Sequence, residues 1–245
     1  MRKRNIYYIH FDSINSTNTW AKQQAHTFDP HQFTCITALE QTAGRGRFLR
    51  QWLSPKGNIY ATLYFSLPCS FPHLSNISQV LSLSCCKVLI NKKFSPQIKW
   101  PNDLLLEEKK VAGILTETKQ FKEYTGVVLG IGINVNMAPE LLAAIDQPAT
   151  SLAQLSGHLW ELEQILDPLL HQFLDDLDLL KAKGFAPFRQ TYENLLAFKG
   201  KSIAFNDGNN DWKGTCHSIT DEGKLNLLLP SGEMRALSVG EIKFR

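Results

Sequence analysis

The chain has 245 residues, of which 43% are apolar and 20% are charged, and its formal net charge is +3. This length and apolar content suit a globular protein with a sizeable core, and they exclude a disordered or fibrous chain. The weak positive charge suits anionic ligands but is too small for a protein whose main role is to bind nucleic acid.

The N-terminus, MRKRNIYYIHF, is basic but alternates like a strand, and no run of about 18 apolar residues follows it. We therefore expect a cytoplasmic protein without a membrane span. Five cysteines occur without a CxxC spacing, and we expect them to be reduced and structural. Cys85 and Cys86 lie in a helical pattern, where a thiol packs as a small apolar group.

The first half of the chain mixes strand and helix patterns. Periodicity and turn signals predict strands near 6–11, 33–40 and 58–66, a helix that opens at Ser16 or Thr17, and a helix near 74–92. A hairpin is expected next, with Asp103 to Leu106 and Val111 to Glu117 around the polar turn 107–110. A strand from 126 to 135 and helices near 158–183 and 186–198 complete an α/β or α+β core.

From Lys199 the pattern changes to short strand-like runs. They are separated by three turn signals, Asn206-Asp207-Gly208, Asp221-Glu222-Gly223 and Pro230-Ser231-Gly232. We therefore expect two domains, a main domain over residues 1–198 and a small β-barrel over residues 199–245.

A loop of glycines and arginines follows the second predicted strand. Its sequence is QTAGRGR, from Gln41 to Arg47, and Arg50 and Trp52 come soon after. Bare backbone N–H groups and guanidinium groups can converge on one anion, which is typical of a phosphate cradle. A solvated basic loop or an RGG-like nucleic-acid segment has the same composition.

The segment Lys99-Trp100-Pro101-Asn102-Asp103 places a proline beside an amide and a carboxylate at the mouth of the hairpin. Asn102 and Asp103 could orient a ribose, a metal or an attacking amine, although a proline turn capped by Asn and Asp is the simpler explanation. The sequence of this segment alone does not decide between the two.

Two strand segments combine glycine with polar groups. Lys110 precedes Val111-Ala112-Gly113, where a ligand could lie against the glycine and the lysine could reach a developing negative charge. In Gly130-Ile131-Gly132-Ile133-Asn134, two glycines again clear space beside a strand; tight packing of a plain strand would need them too. Ser16-Thr17-Asn18 opens a helix as an N-cap, and its N–H groups could also meet a polar ligand.

In combination, the motifs STN, QTAGRGR with a following tryptophan, KWPND, KKVAG and GIGINVN resemble the catalytic domain of the biotin protein ligase family in order and approximate spacing. The resemblance spans about residues 5–136. It implies an α+β fold of the class II synthetase and biotin-lipoate ligase type, in which helices flank a mixed sheet. It also implies that the C-terminal domain is a Src-homology-3-like barrel.

The resemblance implies a two-step reaction. Biotin is activated by ATP, with Mg²⁺ on the ATP phosphates, to biotinyl-5'-AMP, and biotin then passes to a lysine of a biotin carboxyl carrier protein, as in acetyl-CoA carboxylase. Both steps build charge on oxygen, which fixed cations stabilise. The sequence identifies no set of metal ligands.

The family pattern also assigns roles to individual residues. The implied catalytic residues are Arg45, Arg47, Asp103 and Lys110. The implied biotin-binding residues are Ser16, Thr17, Asn18, Gln41, Gly44, Arg45, Gly46, Arg47, Tyr60, Lys110, Gly113, Gly130 and Gly132. The implied ATP-binding residues are Arg47, Arg50, Trp52, Asn102, Lys110 and Asn134.

Two departures from the family pattern matter. Leu49 stands where family members usually carry a glycine, which weakens the assignments of Arg50 and Trp52. Only about a dozen residues precede the first motif, so we expect ligase activity without the operator binding of bifunctional members. By analogy with the family, an exposed strand edge could also mediate homodimerisation.

Two alternatives stay open. A lipoate or octanoate ligase or transferase of the same superfamily would also modify a carrier lysine, although the GRGR and KWPND pair favours biotin. A nucleic-acid-binding module without catalysis would use the arginine loop and the barrel, but the modest charge and the lack of clustered aromatic residues beside basic ones speak against it.

Overall fold

The computed structural model describes residues 5–208 and 210–243. The chain divides into two compact units. Residues 1–72 and 110–166 form the first unit, and residues 73–109 and 167–245 form the second. The expected domain boundary between residues 198 and 199 stays a prediction.

The first unit is built on a mixed sheet. Its strands lie in the order β1-β2-β3-β7-β6; β1 and β2 run parallel, and the other neighbouring pairs are antiparallel. The bounds are β1 (Ile6–Ile14), β2 (Phe33–Gln41), β3 (Ile59–Pro68), β6 (Lys109–Gln120) and β7 (Tyr124–Ile133).

Helix α1 (Thr17–Gln24) covers part of this sheet. Ser16 caps its N-terminus, because the Ser16 hydroxyl accepts the backbone N–H of Thr19. Beneath the helix lies a fully buried cluster formed by Ala21, Ala25, Ile36, Tyr64 and Val128. The small alanines bring the helix close to the sheet, and this fixes the start of α1 over the middle strands.

The second unit combines helices with two groups of strands. The short strands β4 (Gln97–Lys99) and β5 (Asp103–Leu106) pair antiparallel, and a separate five-stranded antiparallel sheet has the order β11-β10-β9-β8-β12. The sheet strands are β8 (Ser202–Asn206), β9 (Asp211–Ile219), β10 (Leu225–Leu228), β11 (Met234–Leu237) and β12 (Glu241–Lys243). Among the described residues, α2 (Ile77–Asn91), α6 (Ala186–Asn194) and most of α5 (Glu163–Lys183) lie in the second unit, whereas α3 (Pro139–Ala143) and α4 (Leu152–Ser156) lie in the first.

Helix α2 is apolar on nearly every face, as expected for a helix buried on all sides. Cys85 and Cys86 lie in it with fully buried side chains and free thiols, which confirms the prediction that they pack as core residues. Burial raises the pKa of Cys85 to about 12.

The structure agrees with most predicted elements but differs at the hairpin. Only Glu107 and Glu108 connect β5 to β6, and both have positive φ, at 50° and 61°. Such a two-residue turn normally carries Asn and Gly; because Glu107-Glu108 has neither, the length of the turn could not be predicted. Lys109 and Lys110, which the prediction placed in the turn, are instead the first residues of β6.

Among the residues that the structure describes, no helix combines the length and the apolar content needed to span a bilayer.

Candidate functional site

Three buried polar residues open helix α1. Ser16, Thr17 and Asn18 are each at most 5% exposed. The hydroxyl of Thr62, which is fully buried on β3, lies 2.8 Å from Thr17 Oγ1 and 2.7 Å from Asn18 Oδ1. Thr62 therefore restricts the positions of the Thr17 hydroxyl and the Asn18 side-chain amide. Thr62 is a residue of the candidate site that the sequence did not reveal.

Gln41, at the end of β2, links this helix start to the glycine and arginine loop. Its Oε1 accepts the backbone N–H of Thr17 at 2.9 Å, and its Nε2 donates to Ser54 Oγ at 3.0 Å. The side-chain amide can make both bonds in only one orientation, so the neighbours of Gln41 fix which end carries the donor.

The loop from Gly44 to Trp52 folds back on itself. Trp52 N–H donates to Gly44 O at 2.9 Å, Gly46 N–H donates to Arg50 O at 2.8 Å, and Arg45 pairs with Gln51 as an isolated bridge. A Cβ on Gly44 would lie 2.5 Å from Trp52 O, so this turn admits only glycine there.

Phe48 lies at the tip of this loop in the left-handed region, with φ 54°, and 63% of its side chain is exposed. The guanidinium groups of Arg47 and Arg50 lie over its ring, 4.9 Å and 5.9 Å from the centroid. The backbone therefore turns at Phe48, the residue before the Leu49 that replaces a family glycine.

A carboxylate that the sequence did not reveal lies beside Arg45. Glu117, on β6, accepts hydrogen bonds from Arg45 Nη2 at 3.3 Å, from Lys22 Nζ at 3.0 Å and from Asn18 Nδ2 at 3.3 Å. Only 16% of its side chain is exposed. Glu117 therefore connects the first arginine of the loop with the amide of Asn18.

A cavity of about 460 Å³ opens beside the loop in the first unit. It brings together four residues that the family pattern assigns to ATP, namely Arg50, Trp52, Lys110 and Asn134. The segment from Ala144 to Ala149 supplies much of the remaining wall, although no motif in the sequence marks it. Its side chains are mostly small or polar, so its place in the cavity could not be predicted from the sequence.

The indole of Trp52 packs against two glycines of the sheet. A Cβ on Gly132 would lie 2.6 Å from Trp52 Cε2, and a Cβ on Gly113 would lie 3.1 Å from Trp52 Cζ3. The indole Nε1 is buried and has no hydrogen-bond partner in the described part of the chain. A buried donor of this kind suits an acceptor on a bound ligand.

Lys110 lies at the same wall of the cavity, with its Nζ 5.4 Å from the centroid of the Trp52 ring. The segment after α3 fixes its backbone, because Lys110 N–H donates to Pro148 O at 2.9 Å and Thr150 N–H donates to Lys110 O at 3.0 Å. The ammonium group is therefore positioned by a paired strand and not by a free loop.

Two further candidate site residues of the first unit, Asn134 and Tyr60, are hydrogen-bonded to the protein. Asn134 Nδ2 donates to Thr150 O at 3.1 Å, and Tyr60 donates its hydroxyl to Pro55 O at 2.7 Å. Burial raises the pKa of Tyr60 well above its ordinary value, so this hydroxyl stays protonated. Gly130 gives space to the side chain of Asn18, which occupies the place of its missing Cβ.

Asn102 and Asp103 belong to the second unit. Asn102 is buried, and Asp103 begins β5, where it pairs with Lys99 of β4. In the described part of the chain, His, Cys, Asp and Glu side chains form no group of three that could hold a metal ion.

Comparison with known proteins agrees with this geometry. Residues 10–134 match the model of the biotin/lipoate A/B protein ligase family. A biotin–acetyl-CoA-carboxylase ligase from Paracoccus denitrificans is 33% identical over 221 residues, which cover 85% of this chain and 89% of that protein. The bifunctional ligase/repressor BirA of Bacillus subtilis is 31% identical over 89% of this chain and 68% of its own length.

Solved structures lead to the same family. A biotin protein ligase from Aquifex aeolicus in complex with biotin and ATP superimposes with a TM-score of 0.83 and 29% identity, over 98% of each chain. The predicted mixed sheet with flanking helices is thus confirmed, as is the resemblance that the motifs indicated. The chain belongs to the biotin/lipoate A/B protein ligase family.

Proposed function

We propose that the chain is a biotin protein ligase that uses ATP and Mg²⁺ to make biotinyl-5'-AMP and transfers biotin to a lysine of a biotin carboxyl carrier protein. The observation that carries the proposal is the cavity that Arg50, Trp52, Lys110 and Asn134 line together. Relatives named as ligases for biotin support the choice of acid.

In the first step, a carboxylate oxygen of biotin attacks the α-phosphorus of ATP, the bond from that phosphorus to the bridging oxygen breaks, and pyrophosphate leaves. Negative charge must be stabilised on the carboxylate and on the α-phosphate as they approach. Lys110 is positioned to serve both, because its ammonium lies at the cavity wall beside Trp52. Arg45 and Arg47 supply further positive charge from the loop.

The polar residues at the start of α1 hold the other end of biotin in this proposal. Ser16, Thr17 and Asn18 are buried and Gln41 is half-buried. Thr62 links Thr17 to Asn18, and Gln41 accepts the backbone N–H of Thr17. Gly44 and Gly46 keep the loop backbone close, Tyr60 lines the pocket, and Gly113, Gly130 and Gly132 leave room beside the sheet. The buried hydrogen bonds fix donors and acceptors before a ligand arrives, which favours a rigid polar head group.

ATP is held in this proposal by Arg47, Arg50, Trp52, Asn102, Lys110 and Asn134. Mg²⁺ is carried by the ATP phosphates and would reduce their charge repulsion when bound; the described residues offer no cluster of acidic or histidine ligands for it. Asp103 serves the acceptor amine or magnesium. In the second step, the lysine amine of the carrier attacks the anhydride carbonyl, loses a proton and forms the amide as AMP leaves.

Residues 1–198 form the catalytic domain in this proposal, and residues 199–245 form a Src-homology-3-like barrel. The five antiparallel strands between Ser202 and Lys243 support the barrel. A homodimer through a strand edge belongs to the same proposal. The cysteines in the described residues are all free, which suits the reducing conditions of the cytoplasm.

Transfer to a carrier tests the proposed function. The chain is incubated with biotin, ATP, Mg²⁺ and a purified biotin carboxyl carrier domain, and the mass of the carrier is measured. We expect a gain of one biotin that disappears without ATP and when the acceptor lysine is replaced by arginine. An unchanged carrier mass, with a control ligase active on the same carrier, would refute the proposal.

A further inference from the structure

The loop that contains Asn102 and leads into Asp103 is held by residues from much later in the chain. Before the loop, Ile98 N–H donates to Leu195 O at 2.7 Å, and Ala197 N–H donates back to Ile98 O at 2.9 Å. Within the loop, Tyr192 donates its hydroxyl to Pro101 O at 3.0 Å from a fully buried position. The backbone of this loop is therefore fixed by α6 and by the segment that follows it.

Trp100 connects the same loop to the five-stranded sheet. Its side chain is 2% exposed, and its indole Nε1 donates to Gly223 O at 3.0 Å. Its ring packs at a tilt against Phe205 of β8, with centroids 5.8 Å apart. Gly223 lies in the turn between β9 and β10. The Trp100 side chain therefore links this turn to the loop that leads to Asn102 and Asp103.

Two buried side-chain amides near the start of α2 hold this turn in place. Gln79 Nε2 donates to Gly223 O at 2.6 Å, and Asn76 Nδ2 donates to Glu222 O at 2.8 Å. Gly223 O thus accepts from both Gln79 and Trp100, which uses both of its lone pairs. Gly223 has φ +82°, and a Cβ there would lie 2.5 Å from Gln79 Oε1. Only glycine therefore fits at this position of the turn.

We propose that the turn between β9 and β10 is a positioning element for the ligase reaction, which it serves by holding Asn102 and Asp103 in place through Trp100. The inference rests on the proposed function, in which Asn102 contacts ATP and Asp103 serves the acceptor amine or magnesium. It gives the five-stranded sheet a role in the chemistry although none of its residues is proposed to touch a substrate. Trp100 and Gly223 are positioning residues in this sense.

A pair of tryptophan variants tests the connection. Trp100→Phe keeps an aromatic ring but removes the donor to Gly223. Trp212→Phe is the matched control, because the Trp212 indole donates to Asp207 Oδ2 at 2.8 Å within the same part of the chain and does not belong to the proposed site. We expect Trp100→Phe to raise the Kd for ATP about five-fold, because a displaced Asn102 would lose about one hydrogen bond to ATP, and to leave the Kd for biotin unchanged.

A pair of glycine variants tests the turn. Gly223→Ala introduces both a strained backbone and a Cβ in contact with Gln79, whereas Gly232→Ala introduces the strain alone, because its φ is +86° and nothing lies within 4 Å of its Cβ position. We expect only Gly223→Ala to weaken ATP binding, even where both variants lower the melting temperature alike.

Calorimetric titration with ATP and Mg²⁺, and separately with biotin, gives these constants without turnover. The double variant Trp100→Phe/Asn102→Ala should bind ATP no more weakly than Asn102→Ala alone, because Trp100 acts through Asn102. Equal effects of each variant and its control, or additive effects in the double variant, would overturn the inference. A wild-type chain that binds ATP but biotinylates no carrier would instead refute the proposed function, and the comparison of the variants would still decide this inference.

Discussion

At the scale of single residues, Trp52 is central to the candidate site. Its ring fills the space above Gly132 and Gly113, and Lys110 lies over its face. Because the indole Nε1 has no partner in the described residues, the ring is held by shape and by the ammonium group, not by a hydrogen bond. Glycine is therefore needed at both positions to make room for the Trp52 ring, and not only to make room for a ligand.

This geometry predicts the effect of Gly132→Ala. The new methyl group would overlap the indole, so we expect a loss of about 1–3 kcal/mol in the free energy of unfolding and a strong loss of pyrophosphate release. Urea denaturation measures the first quantity. In a Trp52→Ala background the same substitution should cost much less; an equal cost in both backgrounds would show that Trp52 is not the residue in conflict.

A second prediction concerns Glu117. Replacing it with alanine removes the acceptor shared by Asn18 and Arg45, so we expect the KM for biotin to rise about ten-fold, as for a lost charge-assisted hydrogen bond. The melting temperature should change little, because Arg45 and Lys22 are partly exposed.

Lys22→Met is the matched control, which removes the third partner of Glu117 and should leave the KM for biotin near the wild-type value. An unchanged KM in Glu117→Ala would contradict this role.

The sequence predicted those residues of the site that lie in local motifs. Trp52, Lys110 and Asn134 could be grouped because each belongs to a recognisable segment, and the structure places them at one cavity. Glu117 and Thr62 could not be predicted, because their partners on α1 and in the loop come close only when the sheet is assembled. The roles assigned to these residues stay predictions.

At the scale of elements, the contact between α2 and α5 depends on one buried carboxylate. Asp176 on α5 accepts from Ser84 Oγ at 2.8 Å and from Lys87 Nζ at 2.6 Å, both on α2. Removal of the carboxylate would leave the Lys87 ammonium group without this acceptor, and it would leave Ser84 Oγ with the Val80 carbonyl alone. The two helices therefore share a polar contact at a buried position.

This contact predicts that Asp176→Ala lowers the free energy of unfolding by about 2 kcal/mol, as measured by chemical denaturation. Asp175→Ala is the matched control on the same helix, since Asp175 is exposed, and its effect should stay within about 0.5 kcal/mol. Equal effects at the two positions would mean that the buried contact contributes nothing to stability.

The positions of strands and helices were predicted well where the hydrophobic pattern was long and regular, and poorly where it was short. The strands β2, β3 and β7 and the start of α1 lie within three residues of their predicted positions. The three-residue strand β4 gave no period to detect, and α5 begins at Glu163, five residues after the predicted start at 158. The short helices α3 and α4 are too brief to show a helical repeat.

At the scale of the whole molecule, the reactivity of the cysteine thiols depends on how tightly both units are packed. Cys35, Cys85, Cys86 and Cys216 are buried, and Cys69 is exposed. Burial raises the pKa of Cys85 to about 12 and that of Cys216 to about 11, so these thiols stay protonated at pH 8 and react slowly.

We therefore expect a neutral alkylating reagent at pH 8 to add one label to the native chain and five labels to the chain in denaturant, as read by intact mass. The variant Cys69→Ser should take up no label in the native state. Rapid labelling at more than one site in native wild type would show that one of the units is open in solution.

The central claim for the whole molecule is that biotin and ATP react in the site around Lys110. The most direct test is the release of pyrophosphate from purified chain with ATP and Mg²⁺, compared for biotin, lipoate and octanoate. Lys110→Met is assayed beside Lys109→Met, because Lys109 precedes it in the same strand but is exposed.

We predict release with biotin alone, with a loss of at least about 100-fold in Lys110→Met, as expected when a group that stabilises developing charge is removed, and wild-type rates in Lys109→Met. Release driven by lipoate or octanoate, or equal rates in Lys110→Met and wild type, would contradict the account.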